Sequence, residues 1–177
     1  MKKFYVIFAA VLITGLFAPY AIAAVGSNTP ISLPGSADDA DRYMDQGVAF
    51  SGKGDYSKAL EAFDKVIELY PYFAPAHYNK GIALSALGKD AEAVKEYDKS
   101  IELDPDNPKP YNNKGSALGR LGKVQEALVS FERAIQLEPK YANAYYNKYV
   151  ALKDLGRKQE ATAALEMARK LEPTVGK

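Results

Sequence analysis

The residue types that carry catalysis or bind metal ions are sparse in this sequence. Cysteine is absent, which removes thiolate nucleophiles, thiolate metal ligands and disulfides. The single histidine, His77, has no ligand or triad partner at a suitable spacing, so we interpret it as a packing residue. The acidic pairs Asp38-Asp39 and Asp104 with Asp106 are interpreted as caps and linkers, not as a paired acid and base. The sequence therefore predicts no catalytic residue, no metal site and no cofactor.

Composition and charge narrow the class of protein further. The 177 residues are 47% hydrophobic and 25% charged, with a net charge of +1, which suits an ordinary helical protein. A near-neutral chain gives no electrostatic reason to bind nucleic acid, which requires a basic face. The glycines recur singly instead of clustering after a strand, so no phosphate-binding loop is predicted. These features favour a protein that is not an enzyme and does not bind nucleic acid.

A pattern 34 residues long recurs four times between Ala40 and Val175. In the second copy its markers are Gly81, Leu84, Gly88, Ala93, Tyr97, Leu103 and Pro105. A fixed period of this length is typical of a stacked array and not of a single globular core. We therefore expect four repeats, at residues 40–73, 74–107, 108–141 and 142–175.

Each copy contains two segments with the apolar spacing of an amphipathic helix. In the second copy the stripes are Gly81, Leu84 and Leu87 in the first segment, and Ala93, Val94, Tyr97 and Ile101 in the second. Gly88 lies between the segments and suits the left-handed residue that closes a helix. Pro105 ends the second segment, and Asn107 followed by Pro108 is typical of the start of the next helix. Each copy is predicted to be a helical hairpin.

This pattern resembles the tetratricopeptide repeat, in which small, aromatic and proline residues occupy fixed offsets of a helical hairpin. The resemblance covers residues 40–175 and implies an all-α fold, a right-handed superhelical solenoid of helix-turn-helix repeats. Lys80, Lys114 and Lys148 depart from the family pattern, which usually has leucine there. Tyr149 replaces the glycine of the other copies, and we expect it to loosen the final hairpin.

The resemblance also implies a binding face, because the first helices of such repeats line the concave side of the superhelix. The predicted groove residues are Met44, Asp45, Val48, Tyr78, Asn79, Ile82, Lys109, Asn112, Asn113, Ser116, Tyr146, Asn147 and Val150. Three asparagines recur in register, and amides that both donate and accept could hold the backbone of an extended peptide. Apolar and aromatic neighbours would supply most of the affinity. The alternative is that these asparagines hydrogen-bond between neighbouring helices and bind nothing.

Some members of the family clamp the terminal carboxylate of chaperones with a lysine and an asparagine of the first repeat and basic residues of the third. The corresponding first-repeat positions are Met44 and Val48, and the third repeat offers only Lys109 beside Asn113. A carboxylate clamp is therefore not expected.

The first repeat carries an aromatic cluster: it opens with Tyr43, Gly47 and Phe50 on one face and closes with Tyr70, Pro71, Tyr72 and Phe73. Large aromatic residues at this spacing are expected to pack against the second repeat. The alternative is an exposed aromatic surface for a ligand.

Residues 1–23 have the pattern of an export signal. Two lysines follow the initial methionine, an apolar run covers residues 4–18, and small residues precede the expected cleavage after Ala23. Cleavage would give a periplasmic or extracellular protein. The alternative is a retained anchor in the cytoplasmic membrane that faces the repeats outward, although the apolar run is short of the roughly 20 residues of a membrane span. Residues 24–39 are predicted to be a flexible linker.

The second helix of the fourth copy differs from the others on one face. Two offsets that are apolar in the first three copies become Thr162 and Arg169. Terminal repeats need a solvated outer face, so we predict that the array ends here and that the protein is a monomer. The sequence as a whole predicts an exported, non-enzymatic scaffold that binds a peptide or helix of a partner protein. A membrane-tethered assembly or secretion factor is the alternative.

Overall fold

The computed structural model describes residues 37–176, so the predicted signal and residues 24–36 of the predicted linker lie outside the described residues. In the described part of the chain, eight α-helices form four consecutive hairpins. Their bounds are α1 Ala37–Gly52, α2 Tyr56–Leu69, α3 Ala74–Ala86, α4 Asp90–Leu103, α5 Pro108–Arg120, α6 Val124–Leu137, α7 Ala142–Asp154 and α8 Lys158–Leu171. The predicted pairs of helices are therefore present.

The first helix begins three residues earlier than predicted. The linker was expected to reach residue 39, but α1 starts at Ala37. Asp38 and Asp39 lie in its first turn, where carboxylates interact favourably with the positive end of the helix dipole. Asp39 also forms an ion pair with Arg42 one turn later, at 2.7 Å. These acidic residues extend the helix instead of belonging to the linker.

The helices are arranged as a curved stack. Each helix packs against the next one in sequence, and the first helices also contact one another, α1 with α3, α3 with α5 and α5 with α7. Among the described helices, no second helix contacts the second helix of the next hairpin. A stack whose first helices approach more closely than its second helices must curve with the first helices inside. The prediction of an all-α repeat solenoid is confirmed.

A glycine with positive φ closes the first helix of every hairpin. The φ angles are +78°, +75°, +77° and +72° at Gly54, Gly88, Gly122 and Gly156. At Gly88 the backbone forms the hydrogen bonds of a Schellman motif, from Lys89 N to Leu84 O at 2.9 Å and from Gly88 N to Ser85 O at 3.1 Å. Side chains other than glycine rarely adopt this conformation, which explains why these positions are all glycine.

Within a hairpin, a small residue of one helix faces a large residue of the other. In the first three, a Cβ atom placed on the first-helix glycine would lie within 3 Å of an aromatic ring of the second helix; the pairs are Gly47 with Phe63, Gly81 with Tyr97, and Gly115 with Phe131. The fourth hairpin reverses the arrangement, with Tyr149 on the first helix and Leu165 on the second. Tyr149 packs against a buried cluster that includes Leu152 and Ala161. The aromatic ring of the final hairpin thus comes from the opposite helix.

The three lysines that depart from the family pattern form ion pairs between repeats. Each contacts an acidic residue of the preceding second helix; the pairs are Lys80 with Asp64 at 2.9 Å, Lys114 with Asp98 at 2.6 Å, and Lys148 with Glu132 at 2.8 Å. Partly exposed pairs of this kind contribute at most about 1 kcal/mol each. Their common offset nevertheless aligns each repeat with its neighbour.

The expectation that the aromatic cluster packs against the second repeat holds for Phe50, which packs against a buried cluster that includes Ala83. It was wrong for the turn between α2 and α3, which is exposed. Tyr72 is 80% exposed, and Tyr70 and Phe73 are 40% and 42% exposed. These residues lie beyond the end of α2 and before the start of α3, in the turn between the two helices. We call Tyr70, Tyr72 and Phe73 the aromatic turn.

In the part of the chain that the structure describes, no helix combines the length and apolar character needed to cross a bilayer. On the outer face of α8, Thr162 and Arg169 are both exposed. That face is therefore polar at the two positions where the sequence changes, and the monomeric state stays a prediction.

Candidate binding groove

The predicted groove residues lie on the four first helices, which form the inner side of the curve. All of them except Asn112 are at least partly exposed. Asn112 is only 5% exposed and lies among polar side chains of α5 and α7. The concave face is therefore continuous across the array and accessible along most of its length.

The asparagines of the third and fourth repeats form a hydrogen-bonded chain between helices. Asn147 on α7 donates from Nδ2 to Asn112 Oδ1 at 2.9 Å and to Ser116 Oγ at 3.4 Å. Asn112 donates to Asn113 Oδ1 at 3.3 Å, and Asn113 donates to the Tyr78 hydroxyl at 3.2 Å. The chain links α7 to α5 and α5 to α3. Asn113 and Asn147 thus form the bonds between repeats that the alternative interpretation requires.

Asn79 behaves differently from the other two asparagines of the recurring set. Its Nδ2 donates to Pro75 O, one turn earlier on its own helix, at 2.9 Å. The three amides are therefore not equivalent. An amide nitrogen carries two N–H groups, so Asn79 and Asn113 each keep one for a ligand, whereas Asn147 donates both to its neighbours. A role for all three in binding stays a prediction.

The tyrosine that ends this chain presents a free donor. Burial raises the pKa of the Tyr78 phenol, so the group stays protonated at neutral pH. Because its oxygen accepts a hydrogen bond from Asn113, the hydroxyl hydrogen can be donated to a bound molecule. Apolar side chains flank the polar row, with Val48 51% exposed on α1 and Val150 39% exposed on α7. The face offers peptide-like ligands both polar and apolar contacts.

No catalytic arrangement emerges from the described residues. No group of three or more histidine or acidic side chains among them could hold a metal ion. His77 is buried, with Nδ1 at 2.8 Å from Glu96 Oε2 and Nε2 at 3.0 Å from Pro71 O. Burial acting alone would raise the pKa of Glu96, but hydrogen bonds from Lys80 and His77 outweigh it and keep the pKa below its ordinary value. His77 therefore joins α3 and α4 to the backbone of Pro71, in the turn between α2 and α3, as expected of a packing residue.

A polar cluster that the sequence prediction missed fills the boundary between the second and third repeats. Arg120 donates to both carboxylate oxygens of Asp90, from Nε at 2.9 Å and from Nη2 at 2.6 Å. Ser85 donates to the same carboxylate at 3.0 Å and accepts a hydrogen bond from Arg120. Asp90 is only 8% exposed, and the Arg120 guanidinium holds its pKa below the usual range. Burial raises the pKa of Tyr97, beside Ser85, to about 12.

The boundary between the third and fourth repeats has a cavity where the preceding boundary has the cluster of Asp90, Arg120 and Ser85. A cavity of about 310 Å³ lies between α5, α6 and α7, with Val124, Ala127 and Phe131 among its lining residues. Three predicted groove residues also line it, namely Ser116, Asn147 and Val150. We call this cavity the repeat 3–4 cleft. The structure thus brings part of the predicted groove together around an apolar depression.

Stacked helical hairpins with a continuous concave face define an α-helical repeat protein of the solenoid class. Tetratricopeptide repeat family models match residues 40–73, 62–95, 83–122 and 108–141. The chain belongs to the tetratricopeptide repeat family.

Similarity to a curated protein is confined to a short stretch. Over 40 residues, which are 23% of this chain, the sequence is 48% identical to an uncharacterized protein of Methanocaldococcus jannaschii. The match spans 46% of that protein, so less than half of the relative's length is covered.

Solved structures match over most of the repeats. The crystal structure of MamA protein is 28% identical with a TM-score of 0.72, covering 78% of this chain and 75% of that chain. The second TPR domain of human RPAP3, in complex with the HSP70 peptide SGPTIEEVD, is 29% identical with a TM-score of 0.63 and covers 64% of this chain and 95% of that chain. The first TPR of RPAP3, bound to the HSP90 peptide SRMEEVD, is 25% identical with a TM-score of 0.66. The match covers 68% of this chain and 96% of that chain.

Proposed function

We propose that the repeats form a non-enzymatic scaffold that binds a peptide or helix of a partner protein along the concave face. The observation that carries the proposal is the continuous, accessible row of polar and apolar side chains on α1, α3, α5 and α7. The two RPAP3 domains bind peptides, which supports peptide binding by the repeats of this chain.

The side chains of the first repeat argue against a partner with an acidic end. The peptides bound by the RPAP3 domains carry two glutamates and a final aspartate. In this chain the first helix presents Met44 and Val48 with the exposed carboxylate of Asp45 between them. A carboxylate would repel an acidic peptide, and neither apolar side chain can donate a hydrogen bond to one. The partner segment that suits this end of the groove is neutral, with apolar side chains against Met44 and Val48.

Replacing Val48 with glutamate is expected to weaken peptide binding about ten-fold or more, which corresponds to at least about 1.4 kcal/mol. The side chain is 51% exposed, so the substitution leaves the fold intact, but a bound peptide would bury the new charge without a partner. Binding would be measured by fluorescence anisotropy with peptides selected from a displayed random library.

A matched control lies on the other side of the array. Val129 on α6, a second helix, is 66% exposed, and Val129→Glu is expected to bind the same peptides as the wild type. Equal affinity of the Val48 and Val129 variants would contradict the groove proposal.

Export is proposed on the pattern of residues 1–23. Sequencing the N-terminus of the protein purified from its source tests it, since cleavage would leave Ala24 as the first residue and a retained anchor would leave the segment in place. An exported protein would carry its concave face into the periplasm or the extracellular space.

The aromatic turn favours the second candidate function, a membrane-tethered assembly or secretion factor. Because α1 and α2 form a hairpin, the aromatic turn lies at the same end of the first repeat as Ala37, where residues 1–36 join the array. The other repeats have charged residues in the corresponding turns, such as Asp104 and Asp106. Exposed aromatic rings partition favourably into the interface of a bilayer. A retained anchor would therefore leave this turn within reach of the lipid.

A tryptophan at the aromatic turn would report that contact. The chain contains no tryptophan, so a Tyr72→Trp variant of the full chain has a single indole. With phosphatidylcholine–phosphatidylglycerol vesicles, its emission is expected to shift to the blue, while a Val129→Trp control on α6 stays unchanged. Identical emission with and without vesicles for both variants would contradict the membrane-tethered candidate.

A further inference from the structure

Four repeats have three boundaries between neighbours, and the side chains at equivalent positions of these boundaries can be compared. The boundary between the second and third repeats is filled by the ion pair of Asp90 with Arg120, to which Ser85 adds a hydrogen bond. Ser85 is the next-to-last residue of the first helix of its repeat, and Asp90 is the first residue of the second helix. Arg120 is the last residue of the first helix of the following repeat. Together they close this boundary toward the concave side.

The boundary between the first and second repeats is closed in another way. The same three positions hold Ser51, Tyr56 and Ala86. Tyr56 packs against the buried cluster of Ala59, Phe63 and Ala83. An aromatic ring therefore takes the place of the ion pair.

The boundary between the third and fourth repeats has neither filling. Its three positions hold Gly119, Val124 and Asp154, so the hydroxyl and the arginine are lost and the buried carboxylate becomes a valine. A Cβ atom added at Gly119 would meet nothing within 4 Å. The repeat 3–4 cleft is the result, and its volume of about 310 Å³ falls at the lower end of the range for ligand pockets, about 300–1,000 Å³.

The chemistry of the cleft defines what it can accept. Val124, Ala127, Phe131 and Ala151 give it an apolar lining. Asp154 lies at its rim, is exposed, and has no ion pair among those formed by the described residues. It is also the last residue of α7, where the helix dipole disfavours a negative charge and an added cation is stabilising. The arginine on the other rim, Arg120, is already bound to Asp90.

We propose that the repeat 3–4 cleft is the specificity pocket of the groove, accepting one aliphatic side chain of the partner peptide next to a lysine or arginine that pairs with Asp154. The inference rests on the proposed function, because it requires a peptide along the concave face. Ser116 and Asn147 at the same cleft place hydrogen-bonding groups beside the peptide backbone. Selectivity therefore resides at the boundary of the third and fourth repeats, where an apolar depression and an unpaired carboxylate coincide.

A displayed library of random 12-residue peptides tests the pocket. Peptides selected on the full-length protein are expected to share an aliphatic residue adjacent to lysine or arginine. Gly119→Leu should lower their affinity ten-fold or more, because the new side chain occupies the cleft, and the open space at this position leaves the fold undisturbed. Asp154→Asn should lower the affinity for the same peptides and remove the preference for the basic residue while keeping that for the aliphatic one.

A second variant rebuilds the closed boundary. Gly119→Ser, Val124→Asp and Asp154→Arg together copy the residues of the preceding boundary, and the combined variant is expected to retain its melting temperature and to lose the selected peptides. Peptides that bind the Gly119→Leu variant as tightly as the wild type, yet lose affinity with Val48→Glu, would overturn the pocket and leave the groove standing. If the wild type selects no peptide at all, both proposals are overturned.

Discussion

Replacing Phe131 with alanine is expected to lower the free energy of unfolding by about 3–5 kcal/mol. The ring is 4% exposed and packs with Leu118, Ala127 and Ala151, so a single side chain joins α5, α6 and α7. Repeat arrays are stabilised mainly by contacts between neighbours, and loss of this ring weakens the third repeat together with its contact to the fourth. Urea unfolding followed by circular dichroism measures the change.

The control for this substitution is Val129→Ala, on the same helix two residues earlier. Val129 is 66% exposed, so its truncation is expected to change the free energy of unfolding by no more than about 0.5 kcal/mol. Coincident unfolding curves for the Phe131 variant and the wild type would contradict the stacking of repeats described above.

Replacing Arg120 with alanine is expected to cost about 1–3 kcal/mol at neutral pH, because the Asp90 carboxylate loses both of its charged hydrogen bonds while remaining largely buried. The effect depends on pH. Since Arg120 lowers the folded-state pKa of Asp90, the pair stabilises the protein above the unfolded-state pKa of about 3.9. That stability is lost as the pH falls through the lower, folded-state value.

The difference in unfolding free energy between the wild type and the Arg120 variant should therefore be full at pH 7 and shrink below about pH 4. Arg157→Ala is the matched control, since Arg157 pairs at 2.6 Å with Glu160, and both side chains are exposed. Exposed pairs contribute about 0–1 kcal/mol, so this control should change little. The third repeat has Val124 at the position equivalent to Asp90. Adding Asp90→Val to Arg120→Ala should therefore recover part of the lost unfolding free energy, because it removes the unpaired carboxylate.

The arrangement of helices could be predicted from the sequence because it depends on features that act locally. The glycine turns and prolines mark the ends of helices in every copy, and α5 begins at Pro108 after Asn107, whose side chain accepts from Lys109 N at 3.1 Å. The apolar stripes then determine which faces pack. The start of α1 was misplaced because the acidic residues of its first turn also suit a linker.

The details of the groove depend on contacts that a repeat pattern does not encode. Asn112 and Asn113 are adjacent in sequence, and which of them faces α3 or α7 follows from the positions of Tyr78 and Asn147 on other helices. The exposure of Tyr72 depends on the absence of a neighbour at the turn. The repeat 3–4 cleft arises from three simultaneous changes, all of which can be read from the aligned copies. That no other side chain fills the space depends on how the helices pack, which the repeat pattern does not encode.

The ion pairs between repeats affect where further repeats could be added to the array by duplication. Each interior unit supplies a lysine to the unit before it and a carboxylate to the unit after it, as Lys114 and Glu132 do. A duplicated interior repeat inserted between two others would thus supply both the lysine and the carboxylate needed for ion pairs with its neighbours. The two outermost units are asymmetric, since Gln46 occupies the lysine offset on α1 whereas Glu166 occupies the carboxylate offset on α8. Copies added beyond α8 would gain a salt bridge, and copies added before α1 would lack one, so duplication favours growth in one direction.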